Sequence, residues 1–455
     1  MPAPATDLSR PHQHHFNLGT IRLTLLLFVH VHISFRGLQA TLALLALWRT
    51  LDLGQPSFAT VRQWLYRVGL FLLRRTLPAV AAGWVAIIDH TIQLGTRKCC
   101  LVLGLPVTAL RHTGYNLAHH DVTVLALEVM THANGANVAA VLQRVQQRVG
   151  KIVQVVADHG GDLCNGIKRL QQGQPDLVAT YDVRHLLAAL LKAELRHDPA
   201  WAQLLAGCGQ LLPRIRQTLA NILAPPTLRV KARYMNVANH VAWAQQLLAL
   251  AERGAWDVLG QALALTAAAA QAWFAEHLGW LSALRDPLHD FAGLLQVIAL
   301  AEEQVHEQGL SAATAALFWQ RWRKEGGEAR WRVWQFAQRV QAALAVEGGQ
   351  IPAGQTWLGS SLVIESLFGK YKAEAARGPS GEMGLGVLAL PVLTSALNNA
   401  LLREALETVS WQEVQQWQQE QLGDSAAKRK RQLFAADSRS GATSAAADDG
   451  GQDAA

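Results

Sequence analysis

A chain of 455 residues is longer than one core supports, so two to four domains are expected. An apolar share of 50% against 16% charged residues excludes a disordered chain, and the four cysteines, with neither CxxC spacing nor a secreted-domain framework, read as reduced structural thiols rather than disulfides or zinc ligands. The net charge of +7 favours a polyanionic partner, and unpaired cysteines go with a reducing, cytosolic setting.

Residues 1–18 read as a flexible leader without a signal-peptide layout, since Arg10, His12, His14 and His15 precede no clean cleavage site. The apolar run 23–35 is broken by His30 and His32 and falls short of the about 20 residues a membrane-crossing helix needs. Segment 19–80 is helical, with turn signals at Gly37 and at Gly54-Gln-Pro56. Ser57 caps a helix over 58–67, with Phe58, Val61, Leu65 and Val68 at core spacing and Arg62, Gln63, Tyr66 and Arg67 pointing outward. A helix, a Gly-containing turn and a second helix with basic outer residues fit a helix-turn-helix DNA reader using Arg62 and Arg67. A plain helical bundle with solvated arginines fits the same pattern.

From Gly83 the texture changes. Residues 84–89 form a strand ending in Asp89 that runs on through His90 and Thr91 to Leu94. Across a turn at 95–97 comes a strand over 98–107, then a third over 122–130, then an amphipathic helix over 137–149 with Val138, Val141 and Val145 on its core side. Residues 152–157 are apolar except Gln154, as in a buried central strand, and Asp158 falls at its end before Gly160-Gly161 frees the backbone to turn. A helix over about 163–170 and a strand over 176–182 ending in Asp182 complete the set. Strand-end carboxylates suit a metal or acid/base site, while Asp also simply starts turns. That stretch alone leaves both readings open.

Three strands, a helix, a strand, a helix and a strand is the order of a ribonuclease-H-like α/β domain, a mixed five-stranded sheet with helices. In such a sheet Asp89 and Asp158 lie side by side. The segment 191–350 is a long helical insertion carrying nine tryptophans from Trp201 to Trp334. Over 319–334 cations interleave with tryptophan, which suits nucleic-acid contact through Arg323 and Arg332, or else a helix corner with arginine stems lying along its surface. A boundary at 348–352 precedes a helix over 355–376, with Trp357, Ser361, Ile364, Phe368 and Tyr371 on one face. Glu365 sits beside that apolar seam, where a carboxylate needs a reason, and Lys372 follows two turns later. The core is thus expected over 81–190 and 351–422, and 423–455, around the basic cluster 428–431, reads as a disordered tail.

Together these motifs resemble the DDE transposases of bacterial insertion sequences. Ile88-Asp89-His-Thr91 looks like the strand of the first Asp, and Asp158 matches the second. Ile364-Glu365-Ser-Leu-Phe-Gly-Lys-Tyr-Lys372 looks like the Glu helix with its Lys seven residues on. Asp182-Val-Arg-His185 resembles the [C/D]xxH motif of superfamilies with helical insertions. The resemblance implies a ribonuclease-H-like core interrupted by an all-α insertion. It implies catalysis by Asp89, Asp158 and Glu365 holding two Mg²⁺ ions, with Mn²⁺ able to substitute, assisted by Asp182 and His185. Lys372, with Lys370 near it, would contact DNA. Implied partners are double-stranded DNA, as terminal inverted repeats and target, and further copies of the chain, in the cytoplasm of a bacterium at its nucleoid. A nuclease of the same fold without strand transfer, and a non-catalytic DNA-binding relative, are the alternatives.

Overall fold

The computed structural model describes residues 7–47, 53–94, 97–227, 233–325, 330–375, 384–424 and 428–434. The turn expected at 95–97 therefore falls partly outside them, as does most of the tail. In chain order come α1 (Leu18–Leu26), α2 (Phe35–Leu47), α3 (Phe58–Arg74), β1 (Trp84–Leu94), β2 (Arg97–Pro106), α4 (Val107–Thr113), β3 (Thr123–Met130), α5 (Gly135–Val149), β4 (Ile152–Ala157), α6 (Gly161–Gly173), β5 (Val178–Tyr181) and α7 (Val183–Leu195). Then follow α8 (Pro199–Ile215), α9 (Val237–Glu252), α10 (Trp256–Leu263), α11 (Ala267–Leu278), α12 (Arg285–Gln308), α13 (Thr314–Glu325) and α14 (Trp331–Gly349). The last four are α15 (Leu362–Ala375), α16 (Ala389–Leu393), α17 (Asn399–Thr408) and α18 (Trp411–Gln421).

The fold is mixed α/β, with one five-stranded sheet in the order β3-β2-β1-β4-β5. Strands β1, β2 and β3 form an antiparallel meander, and β4 joins β1 in parallel, so the sheet is mixed. Strand β4 is the continuous apolar run of the sequence, and Ile152, Val155, Val156 and Ala157 are fully buried. By contact the chain divides into two compact units. One holds Met1–Thr113, Leu117–Leu177 and Ser361–Ala455; the other holds Gly114–Asn116 and Val178–Ser360.

The first unit is built around α3. Ser57 caps it by accepting from the Thr60 N–H, as its sequence predicts. Val61, Trp64, Leu65, Val68 and Leu70 are all but inaccessible, and α1, α2, α16, α17, α18 and β3 pack against the helix. Tyr66 is buried on α3, where an outward position was expected, and Phe58 is exposed under the Arg36 guanidinium. A helix surrounded on this many sides buries more than one stripe, which a single-face pattern does not anticipate. Gly37 lies inside α2, so the turn falls earlier, around His32, whose φ of 55° is left-handed. The segment read as a leader is tied down from Asp7 onward: Asn399 donates to Asp7, Arg403 to Ser9, and the His12 N–H to Glu407, all on α17.

Among the described residues, the elements of the second unit are helices apart from β5 and one isolated bridge, and its core gathers Trp201, Phe291, Phe318 and Phe336, with Trp201 edge-on to Phe291 at 5.9 Å. The helix expected over 355–376 begins only at Leu362, because Trp357 pairs with Leu310 in an antiparallel bridge. Among the described residues no single helix is long and apolar enough to cross a membrane. All four cysteines are unpaired; burial pushes the Cys99 and Cys208 thiols up to about 12, which leaves them inert packing groups.

Candidate active site

The parallel register pairs Ile87 with Val156. Asp89 stands two residues further along β1 and Asp158 one residue past the end of β4, so the register carried on from that pair brings the two acids to the same level. Asp89 accepts a hydrogen bond from the His90 N–H at 2.6 Å, and Asp158 accepts one from the Gly160 N–H at 2.9 Å. Each acid is half-buried and held by the backbone just beyond it.

Side chains alternate across a strand, and directly paired residues share a face. Asp89 pairs with Leu101, and Leu101 lies two residues from Cys99, so these three share one face. Tyr371 of α15 lies near Cys99 and Tyr66. Burial first, and then those neighbours, push its hydroxyl far above the usual range. Helix α15 packs on β1. It therefore covers the Asp89 face, and Glu365 is carried on that helix, half-buried between Ile364 and the exposed Ser366. Among the described residues, Asp89, Asp158 and Glu365 do not form a group whose ligand atoms all lie within 4.8 Å of one another.

The opposite face carries a charged row. His90 pairs with Cys100, and Cys100 with Glu128. Arg144 of α5 forms a two-pronged ion pair with Glu128, and Asp162 of α6 meets Lys98 and His90. Burial works to raise the Asp162 carboxyl, but the Lys98 hydrogen bond and the His90 and Lys98 charges hold it below the usual carboxylate range. Burial likewise keeps the His90 imidazole below its ordinary value, despite Asp162 beside it. Asp162, His90 and Lys98 were not singled out by sequence. Asp162 stands only four residues after Asp158, but Lys98 lies 64 residues from it in the chain, and only the sheet brings them together.

In the second unit, Asp182 is fully buried and caps α7 by accepting from the Arg184 N–H at 2.8 Å, with His185 Nδ1 3.4 Å from its other oxygen. Arg332 is an internal residue: it ion-pairs with Glu194 at 2.8 Å and Asp198 at 2.7 Å and lies over Phe291. Arg323 is exposed on α13. Trp319 packs against both Trp322 and Trp334, so these three tryptophans serve the unit's own packing. On α15, Lys372 is exposed while Lys370 is half-buried, close enough to His119 to help depress that imidazole after burial itself.

Arg67 and Arg62 part company on α3. The Arg67 guanidinium is half-buried and donates to the backbone carbonyls of Leu406 and Val409 at the end of α17, whereas Arg62 is exposed. Arg67→Ala should therefore destabilise the first unit by about 2–3 kcal/mol, because two carbonyls lose a charged donor. Arg62→Ala should change stability by less than about 0.5 kcal/mol. Thermal unfolding of the two variants checks both values.

No protein-family model matches this chain, and no curated protein matches it. The functional reading rests on its own residues.

Proposed function

We propose that this chain is a DDE-type transposase built on a ribonuclease-H-like core, which binds the ends of a mobile DNA element, cleaves there and joins those ends to target DNA. The observation that carries the reading is the level placement of Asp89 and Asp158 on adjacent parallel strands, with the helix bearing Glu365 on the Asp89 face. The antiparallel meander followed by a parallel strand on the far side of β1 is the sheet arrangement such a core requires.

The donor set fits Mg²⁺ or Mn²⁺: three carboxylates supply hard oxygens, and two of them are already oriented by backbone N–H groups. Bound there, the ions supply an activated water or 3′-hydroxyl and shield the leaving oxygen. Asp89, Asp158 and Glu365 would be the residues that hold the ions. Asp182 fixes the orientation of His185, which keeps its auxiliary role in this reading. DNA engagement falls to exposed cations. Arg62, Arg323 and Lys372 are exposed, and between α5 and α6 an open pocket of about 440 Å³, which does not include the acid pair, is lined by Gly135, Asn165, Lys168, Arg169 and Gln172. Two DNA ends require at least two copies of the chain, working where the bacterial DNA is.

Lys372 lies two turns beyond Glu365, about 10.5 Å along the axis, a reach suited to a phosphate beside the cleaved bond. Lys372→Ala should weaken binding to end-bearing duplexes several-fold, with a shallower salt dependence and unchanged unfolding temperature, and the partly enclosed Lys370→Ala should not alter the salt slope. Equal salt slopes for wild type and Lys372→Ala would remove Lys372 from the interface. The reading as a whole is tested with labelled duplexes carrying the inverted repeats that flank the gene. In Mg²⁺ the chain should nick at the repeat and transfer the labelled end into plasmid. Nicking without transfer would make it a nuclease, and binding without nicking in either Mg²⁺ or Mn²⁺ a non-catalytic DNA-binding protein.

A further inference from the structure

Asp89 and His90 are neighbours whose side chains leave β1 on opposite faces. The His90 side chain is only 9% exposed, its Nδ1 lies 3.5 Å from Asp162 Oδ2, and among the described residues its buried Nε2 has no hydrogen-bond partner. The same Asp162 oxygen takes a hydrogen bond from Lys98 Nζ at 3.1 Å. Asp162 thereby ties the start of α6 to β1 and β2, directly behind Asp89. Its other oxygen and the second acid both lie beside Gly160: a Cβ built there would lie 2.8 Å from Asp158 Oδ1 and 3.1 Å from Asp162 Oδ1. One carboxylate thus faces the imidazole of the residue whose N–H orients Asp89 and lies beside the glycine whose N–H orients Asp158.

We infer that Asp162 is a positioning residue for the Asp89–Asp158 pair, holding through His90 and the Gly160 turn the two backbone N–H groups that aim the acids. The inference rests on the metal-binding role proposed for that pair. Asp162 is not an additional ligand in this scheme, because Lys98 already answers its charge and its oxygens serve Lys98, His90 and the Leu163 N–H. A partner that fixes the orientation of metal-holding groups typically governs affinity by 10- to 100-fold.

The test is calorimetric titration of Mn²⁺ into the full chain without DNA, alongside circular dichroism and unfolding in EDTA. Asp162→Asn should weaken Mn²⁺ binding about tenfold or more while the EDTA unfolding temperature stays near wild type. His90→Asn keeps the backbone N–H but removes the imidazole link; it should weaken Mn²⁺ similarly, and it carries the test should Asp162→Asn fail to fold. Arg144→Gln, which breaks the Glu128 ion pair on the same face, should leave Mn²⁺ affinity unchanged and shows that loss of an ion pair there is not enough. Wild-type Mn²⁺ affinity in a folded Asp162→Asn or His90→Asn chain overturns the inference but leaves the transposase reading standing, provided Asp89→Asn abolishes binding. Absence of Mn²⁺ binding in the wild type overturns both.

Discussion

Asp89→Asn, Asp158→Asn and Glu365→Gln should each yield a folded chain that still binds DNA and has lost roughly a thousandfold or more of its Mg²⁺-dependent cleavage. Groups acting as one catalytic unit cost about that much when any single member is removed. The amides keep the shape of the carboxylates and weaken only their hold on a hard cation. Asp89 and Asp158 stand level on neighbouring strands, where like charges repel, so neither replacement should lower the unfolding temperature in EDTA. What should vanish is the rise in unfolding temperature that Mg²⁺ gives the wild type, since a ligand stabilises only the state that binds it. A thermal series with and without Mg²⁺, run beside the cleavage assay, reads both effects. Near-normal cleavage by any one variant would strike that residue from the site.

The second large effect concerns the core of the first unit. Gly69→Ala should destabilise it by at least about 3 kcal/mol. In an isolated helix the same change stabilises by about 1 kcal/mol, because alanine is the better helix former. Here a Cβ on Gly69 would lie 1.9 Å from the Leu388 carbonyl oxygen and 3.1 Å from the Leu388 Cβ. A backbone carbonyl cannot swing aside as the end of a side chain can, so α3 and the short 3₁₀ turn Leu385–Leu388 must separate, and the contacts of α3 with α16 loosen with them. Gly173→Ala is the control: nothing lies within 4 Å of its Cβ position, so stability should hold or rise slightly. Equal unfolding temperatures for the two variants would mean that α3 and that turn are not packed as described.

How much of this was legible beforehand depended on the range of the forces involved. The strands over 84–94 and 152–157, the cap at Ser57 and the amphipathic helix over 135–149 follow from neighbours within about one helical turn, and the sequence carries those patterns directly. So does the position of Asp158 at the end of a buried run. The level placement of Asp89 and Asp158 was also expected, since parallel register follows once the strand order is guessed. Arg67 and Arg62 could not be told apart in the same way. Both fall on the outer side of a local pattern, and only the end of α17, more than 330 residues away, turns one of them into a cap for buried carbonyls. Tyr66 became core for the same reason, because several later helices close over α3. Arg332 and Arg323 diverge likewise: Glu194 and Asp198 claim one and not the other.

By itself, then, the sequence determined most of the strands and helices, Asp158 and Asp182 just past strand ends, and a helix that bears Glu365, because propensity, capping and hydrophobic period act over a few residues. The tertiary structure alone decided which cations remain on the surface, that Asp162, Lys98 and His90 meet behind Asp89, and that Gly69 must stay glycine. Those outcomes are set by contacts between segments tens to hundreds of residues apart, where steric exclusion and desolvation act on whichever groups the fold brings together.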